Sequence, residues 1–294
     1  MPDIALRCVW ETPAILGEGP VWVERENSLY WVDVVGKKVH RYGLADGARK
    51  TWSFDTEVTS LAPRRGGGFV GTIRHAFAFF DFSGDVVNPR IIAEFETDIP
   101  GNRFNDGKVD ARGRFWAGTV DEANWRDPSG SLYRLDPDLS VRKIEGGYIC
   151  TNGPAFSADG KTLYHNETMK GIIYAFDLGG DGEIRNKREF VKLGGDEGGT
   201  DGLTVDAEDC LWQCHFGGGC VTRFSPKGER LGTLRLPVPN VTSCTFGGPG
   251  LDTLYITTAR YGMNEADLPK YPLAGSLFAC EPGVRGLPTP AFAG

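Results

Sequence analysis

The sequence is poor in several of the parts from which familiar sites are built. It has four histidines and three methionines in 294 residues. His40, His75 and His165 stand alone, and no Ser-His-Asp arrangement or G-x-S-x-G motif is present, so a serine-hydrolase site is not expected. The seven cysteines, Cys8, Cys150, Cys210, Cys214, Cys220, Cys244 and Cys280, are odd in number and scattered. That pattern speaks for free thiols in a reducing compartment rather than a disulfide framework. His215 lies between Cys214 and Cys220, but the spacing is not that of a zinc ribbon or finger, and buried thiols are expected there. No apolar run approaches the roughly 18 residues of a membrane span, so no membrane partner is expected. The start, MPDIALRCVWETP, has no basic region followed by an apolar stretch, so neither a signal peptide nor export is expected and the expected location is cytoplasmic. Basic clusters are also missing and the formal net charge is −7, so nucleic acid is not expected as a ligand.

What the chain does have is glycine, 41 residues of it, and 11% aromatics. Turn formers mixed with large flat side chains favour many short strands over long helices. Six related passages recur: NSLYWVDV, GGFVGT, GRFWAGT, KTLYHNE, DCLWQCH and DTLYITT. Anchored on Tyr30, Val70, Trp116, Tyr164, Trp212 and Tyr255, they are 40, 46, 48, 48 and 43 residues apart. A strand-rich period of that length is what a propeller blade needs, because a four-stranded sheet cannot cover its own faces and must stack on its neighbours. The expected fold is therefore all-β, a six-bladed β-propeller with a central channel, filling residues 1–294 as one domain. The strand-like IALRCVW near the N-terminus is expected to pair beside GSLFACEP (275–282), complete the sixth blade and close the ring.

Ten to twelve residues before the anchors lie Glu18, Ser60, Asn105, Asn152, Asp201 and Ser243. All are polar, and in a propeller they would converge on the channel at one height. Asp-Gly and Asn-Gly pairs are common turn dipeptides, so any one of them alone reads as a turn. As a set drawn from separate blades they offer carboxylate and carboxamide oxygens without histidine or thiolate. That chemistry suits a hard divalent cation such as Ca²⁺, Mg²⁺ or Mn²⁺, with Zn²⁺ tolerated. Arg103 lies two residues before Asn105 and so on the same strand face, where a guanidinium can grip oxygens of a polar ligand or form a structural ion pair. The segment DEANWRDPSG (121–130) breaks the blade rhythm and is expected to cover the channel mouth. GGDGE (179–183) and GGDEGG (194–199) lack the ordered acids of a calcium loop and read as blade turns.

LGEGPVW, NRFNDGKVDARGRFWAGT, TNGPAFSADGKTLYH, TDGLTVDAEDCLW, TSCTFGG and YPLAGSLFA together resemble, over essentially the whole chain, the senescence marker protein/gluconolactonase/luciferin-regenerating-enzyme-like family, which includes regucalcin and bacterial sugar lactonases. The resemblance implies a six-bladed propeller with one divalent cation (Ca²⁺, Zn²⁺, Mg²⁺, Mn²⁺ or Fe²⁺) held by Glu18, Asn152 and Asp201. It implies substrate contacts at Arg103 and Asn105, with Asp201 also the general base. Family members often place a further acid after the third-blade motif; here Asp121 and Glu122 stand there, and Glu122 is taken as the substrate contact. Hydrolysis of a sugar lactone to its aldonic acid is the implied reaction. A non-catalytic calcium-binding propeller, or a hydrolase of other esters or phosphotriesters, are the alternatives. The partner expected is the small-molecule lactone, for a monomer or small homo-oligomer.

Overall fold

The computed structural model describes residues 4–294. Residues 1–3 of the expected propeller lie outside the described residues. Six four-stranded antiparallel sheets follow one another around a ring. The inner strands of blades 1 to 6 are Gly17–Val23, Val58–Pro63, Asn102–Val109, Thr151–Phe156, Gly199–Val205 and Val241–Gly247. The six anchors lie on the second strand of each blade, and all are buried. Their large side chains fill the seams between neighbouring sheets, which is where a sheet without its own cover must find one.

Blades 3 and 5 show how an anchor is fixed. In the turn after the inner strand, Asp110 accepts the N–H groups of Arg112 and Arg114, and its Oδ2 accepts the Trp116 indole N–H at 2.9 Å. Asp206 does the same for Glu208, Cys210 and the Trp212 indole, the last at 2.8 Å. A buried indole needs one acceptor and a tight turn leaves N–H groups over; one carboxylate serves both.

Ring closure follows the sequence expectation. Arg7–Trp10 pairs antiparallel with Leu277–Cys280, so the sixth blade takes three strands from the end of the chain and one from its start. A second closure was not foreseen. Residues 285–293 run back across the ring and bond in turn to blades 5, 6, 2 and 3. Arg285 O accepts from Ala207 N, Gly286 N donates to Leu251 O, Phe292 N donates to Pro63 O, and Ala293 N donates to Gly113 O. These contacts lie at the C-terminal ends of the inner strands. The tail therefore covers one end of the channel and leaves the other, at the strands' N-terminal ends, open. No helix among the described residues is long and apolar enough to cross a membrane.

Candidate metal centre

Each inner strand is irregular at the height of its polar residue. The ladder to the second strand slips between Glu18 and Val21, Val58 and Ser60, Phe104 and Gly107, Asn152 and Ala155, Thr200 and Leu203, and Val241 and Ser243. A bulge leaves residues unpaired and re-aims their side chains. The glycines that made these dipeptides look like turns belong to the bulges. Gly153 has φ +81°, and a Cβ on Gly202 would sit 2.2 Å from Ser243 Oγ.

Four of the six positions share one cavity of about 580 Å³ at the open end of the channel: Glu18, Asn105, Asn152 and Asp201, joined by Arg103. Ser60 and Ser243 do not reach it. Ser60 Oγ bonds to Thr72 Oγ1 at 2.5 Å, and Ser243 packs against Gly202, so both are channel lining. Glu18, Asn152 and Asp201 are buried against the protein. Trp125, from segment 121–130, lies on the wall with Phe216, Met169 and Tyr261.

The polar side chains are held in a continuous chain. Arg103 donates from Nη1 to Asn105 Oδ1 at 2.8 Å, and Asn105 Nδ2 donates to Thr151 O at 2.7 Å and Asn152 Oδ1 at 3.0 Å. Asn152 Nδ2 donates to Thr168 Oγ1 at 2.9 Å. On the other side Arg103 Nε meets Glu122 Oε2 at 2.8 Å, and Arg74 Nη1 meets Glu122 Oε1 at 2.8 Å. Of the two acids, Glu122 therefore grips Arg103, whereas Asp121 is occupied in its own turn, accepting from Ala123 N and Asn124 N.

The electrostatics are dominated by three carboxyl groups. Burial pushes Glu18 up to about 8, with Asp106 adding to the rise and the Gly19 N–H, a hydrogen bond with Asp201 and the Arg103 charge opposing it. Asp201 stands well above the usual carboxylate range because it is buried and then because Glu18 and Asp106 are beside it. Asp106 is raised by burial, against the charge of Lys108 and two backbone N–H groups. Without a cation such a set is held partly protonated; a dication would offset most of its charge. No histidine lines the cavity, and burial pushes the thiol of Cys150 on its wall up to about 12, so the donors offered are oxygens. Among the described residues no three of His, Cys, Asp and Glu meet as a metal-ligand cluster, so a centre here needs the Asn152 carboxamide as its third donor. The donor set fits a hard divalent cation. Cys214 and His215 are both buried, and His215 Nδ1 is matched to Glu197 O at 3.0 Å, in keeping with the reading of this segment as core.

Sequence reasoning missed Asp106 and Arg74. Asp106 stood in plain view beside Asn105 in NRFNDGKVD, but strict alternation along a strand turns neighbours to opposite faces. The bulge between Phe104 and Gly107 cancels that rule.

A family model described as "SMP-30/Gluconolactonase/LRE-like region" matches residues 16–260. The chain is 37% identical over 292 residues to a 6-deoxy-6-sulfogluconolactonase of Pseudomonas putida, covering 98% of this chain and 99% of that one. It is 40% identical to the regucalcin of Gallus gallus over 301 residues, with all of both chains covered. The solved structure of a regucalcin from Agrobacterium tumefaciens, described as a calcium-binding protein, superposes with a TM-score of 0.93 at 27% identity, over 98% of this chain and 97% of that one. The protein belongs to the SMP-30/gluconolactonase/LRE-like family.

Proposed function

We propose that the protein hydrolyses a sugar lactone to its aldonic acid at the open end of the channel. The observation that carries this reading is the meeting, in one cavity, of Glu18, Asn152 and Asp201 from three blades with the Arg103–Asn105 pair from a fourth. Similarity to a 6-deoxy-6-sulfogluconolactonase over the whole chain supports the substrate class. Glu18, Asn152 and Asp201 would hold the divalent cation. When bound, it supplies Lewis acidity toward the ester carbonyl and balances the buried carboxylates.

The chain's own groups do the rest. Asp201 faces the cavity as a carboxyl and is the general base toward the attacking water. Arg103 is committed through Nε and Nη1 to Glu122, Phe104 O and Asn105, which leaves Nη2 to donate to a ring or carbonyl oxygen of the substrate. Asn105 has both N–H bonds committed to Thr151 O and Asn152 Oδ1. What it offers a substrate is the second lone pair of Oδ1, an acceptor for a sugar hydroxyl. Its donors orient the Asn152 carboxamide instead. Glu122 holds the guanidinium in place and reaches substrate chiefly through Arg103. Trp125, Met169 and Tyr261 narrow the mouth and limit access of bulk water.

The test is a panel of aldonolactones, aryl esters and phosphotriesters assayed with wild type and Asp201→Asn. Preference for aldonolactones, lost in Asp201→Asn with cation still bound, supports the reading. Calcium binding without hydrolysis of any member would move the protein to the calcium-binder alternative.

A further inference from the structure

Asp106 is buried, with 3% of its surface exposed, and both carboxylate oxygens are in use. Oδ1 accepts from Gly107 N at 2.7 Å, and Oδ2 accepts from Gly153 N at 3.0 Å on the neighbouring blade. Gly153 directly follows Asn152 and lies inside the bulge that turns Asn152 inward. The Asp106 bond therefore fixes the backbone that carries the Asn152 carboxamide. A carboxylate is required because two N–H donors arrive, one at each oxygen. An asparagine would present an N–H₂ to one of them. Asp106 is also close enough to Glu18 and Asp201 for its charge to act on both. Lys108 is the cation nearest in sequence, and its ammonium bonds to Leu203 O.

A third buried carboxylate crowded against two others is unfavourable to the protein alone. Its position is explained if the site works with a dication. On the reading that Glu18, Asn152 and Asp201 hold such an ion, we infer that Asp106 is a positioning residue for it: its carboxylate pins the Gly153 N–H, thereby setting the Asn152 oxygen, and its charge strengthens the attraction for the cation.

The experiment titrates Ca²⁺, and separately Mn²⁺, into chelator-treated full-length protein by calorimetry, with the Tm of the stripped protein as the second measurement. Asp106→Asn is expected to weaken cation affinity by about ten- to hundredfold. Its stripped form should melt no more than about 6 °C below stripped wild type, because one buried N–H loses its acceptor while a like charge is removed. Affinity equal to wild type overturns the inference and leaves the cation site standing. Weakened affinity accompanied by a stripped-form Tm lowered by more than about 6 °C, beyond what one lost N–H bond accounts for, also overturns it, since the residue would then act only on the fold. If wild type binds neither ion, the cation reading itself fails and the inference with it. Should Asp106→Asn not fold, Asp106→Ser, which removes the charge without placing an N–H₂ against the Gly153 N–H, is judged by the same two measurements.

Discussion

Asn105 donates an amide N–H to Asn152 Oδ1 at 3.0 Å across the seam between blades 3 and 4. The bond joins the Arg103 side of the cavity to its acidic side. Asn105→Ala would leave the Asn152 carboxamide free to rotate about its terminal torsion and Arg103 without one acceptor. We expect kcat/KM for the lactone to fall about tenfold to a hundredfold. Stability should change by only about 1–2 kcal/mol, since Asn105 is half-buried. Steady-state kinetics and urea unfolding of the same preparation check the two halves of the prediction.

Glu122 sits between Arg103 and Arg74, at 2.8 Å from each. Glu122→Gln keeps the shape and removes the charge that sets the guanidinium. The account predicts a rise in KM of about tenfold, smaller than the effect of Arg103→Ala, for which about a hundredfold loss of kcat/KM is expected. Arg103→Lys should not rescue, because an ammonium cannot hold Glu122, Phe104 O and Asn105 together in the plane that the guanidinium uses. Equal losses for Glu122→Gln and Arg103→Ala would show Glu122 to contact substrate directly.

Burial lowers His165 to about 3 and His40 to about 4. Both are neutral in the folded protein, and the unfolded chain takes up their protons first. Their contribution is therefore present above the unfolded histidine value of about 6.5 and is lost as pH falls below it, by up to about 1.4 kcal/mol per pH unit for each. His165 packs edge-on to Tyr148 with ring centroids 4.9 Å apart, so His165→Phe is a tolerable replacement. Unfolding free energies at pH 7, 6 and 5 should fall less steeply in His165→Phe than in wild type. An unchanged slope would mean that His165 is not held neutral.

Asp206 joins a turn, an indole and the Arg223 guanidinium, which meets its Oδ2 at 2.7 Å. Asp206→Ala leaves these donors without an acceptor inside the sheet. A loss of about 3–5 kcal/mol is expected by urea unfolding. Because Asp206 does not line the cavity, KM of the folded fraction should not change.

The propeller was legible because a blade is a repeat, and the repeat survives in the spacing of large apolar residues such as Trp116 and Trp212. The inward face was legible for Glu18, Asn105, Asn152 and Asp201 because equivalent positions in a ring must converge. Equivalence did not distinguish these from Ser60 and Ser243, whose short side chains end against Thr72 and Gly202. Asp106 was hidden because bulges have no fixed sequence signature, and strand alternation gives the wrong face inside one. The closing tail was hidden for another reason. Its bonds to Pro63, Gly113, Ala207 and Leu251 are made by backbone groups, which leave no trace in side-chain pattern.

The most direct test of the central claim is the rate of aldonolactone hydrolysis by chelator-stripped protein before and after each divalent cation is restored. The account predicts a rate near that of the uncatalysed reaction in the stripped protein, recovered with at least one hard dication and not recovered in Asp201→Asn. Full activity of the stripped protein, or no lactone hydrolysis with any cation restored, would contradict it.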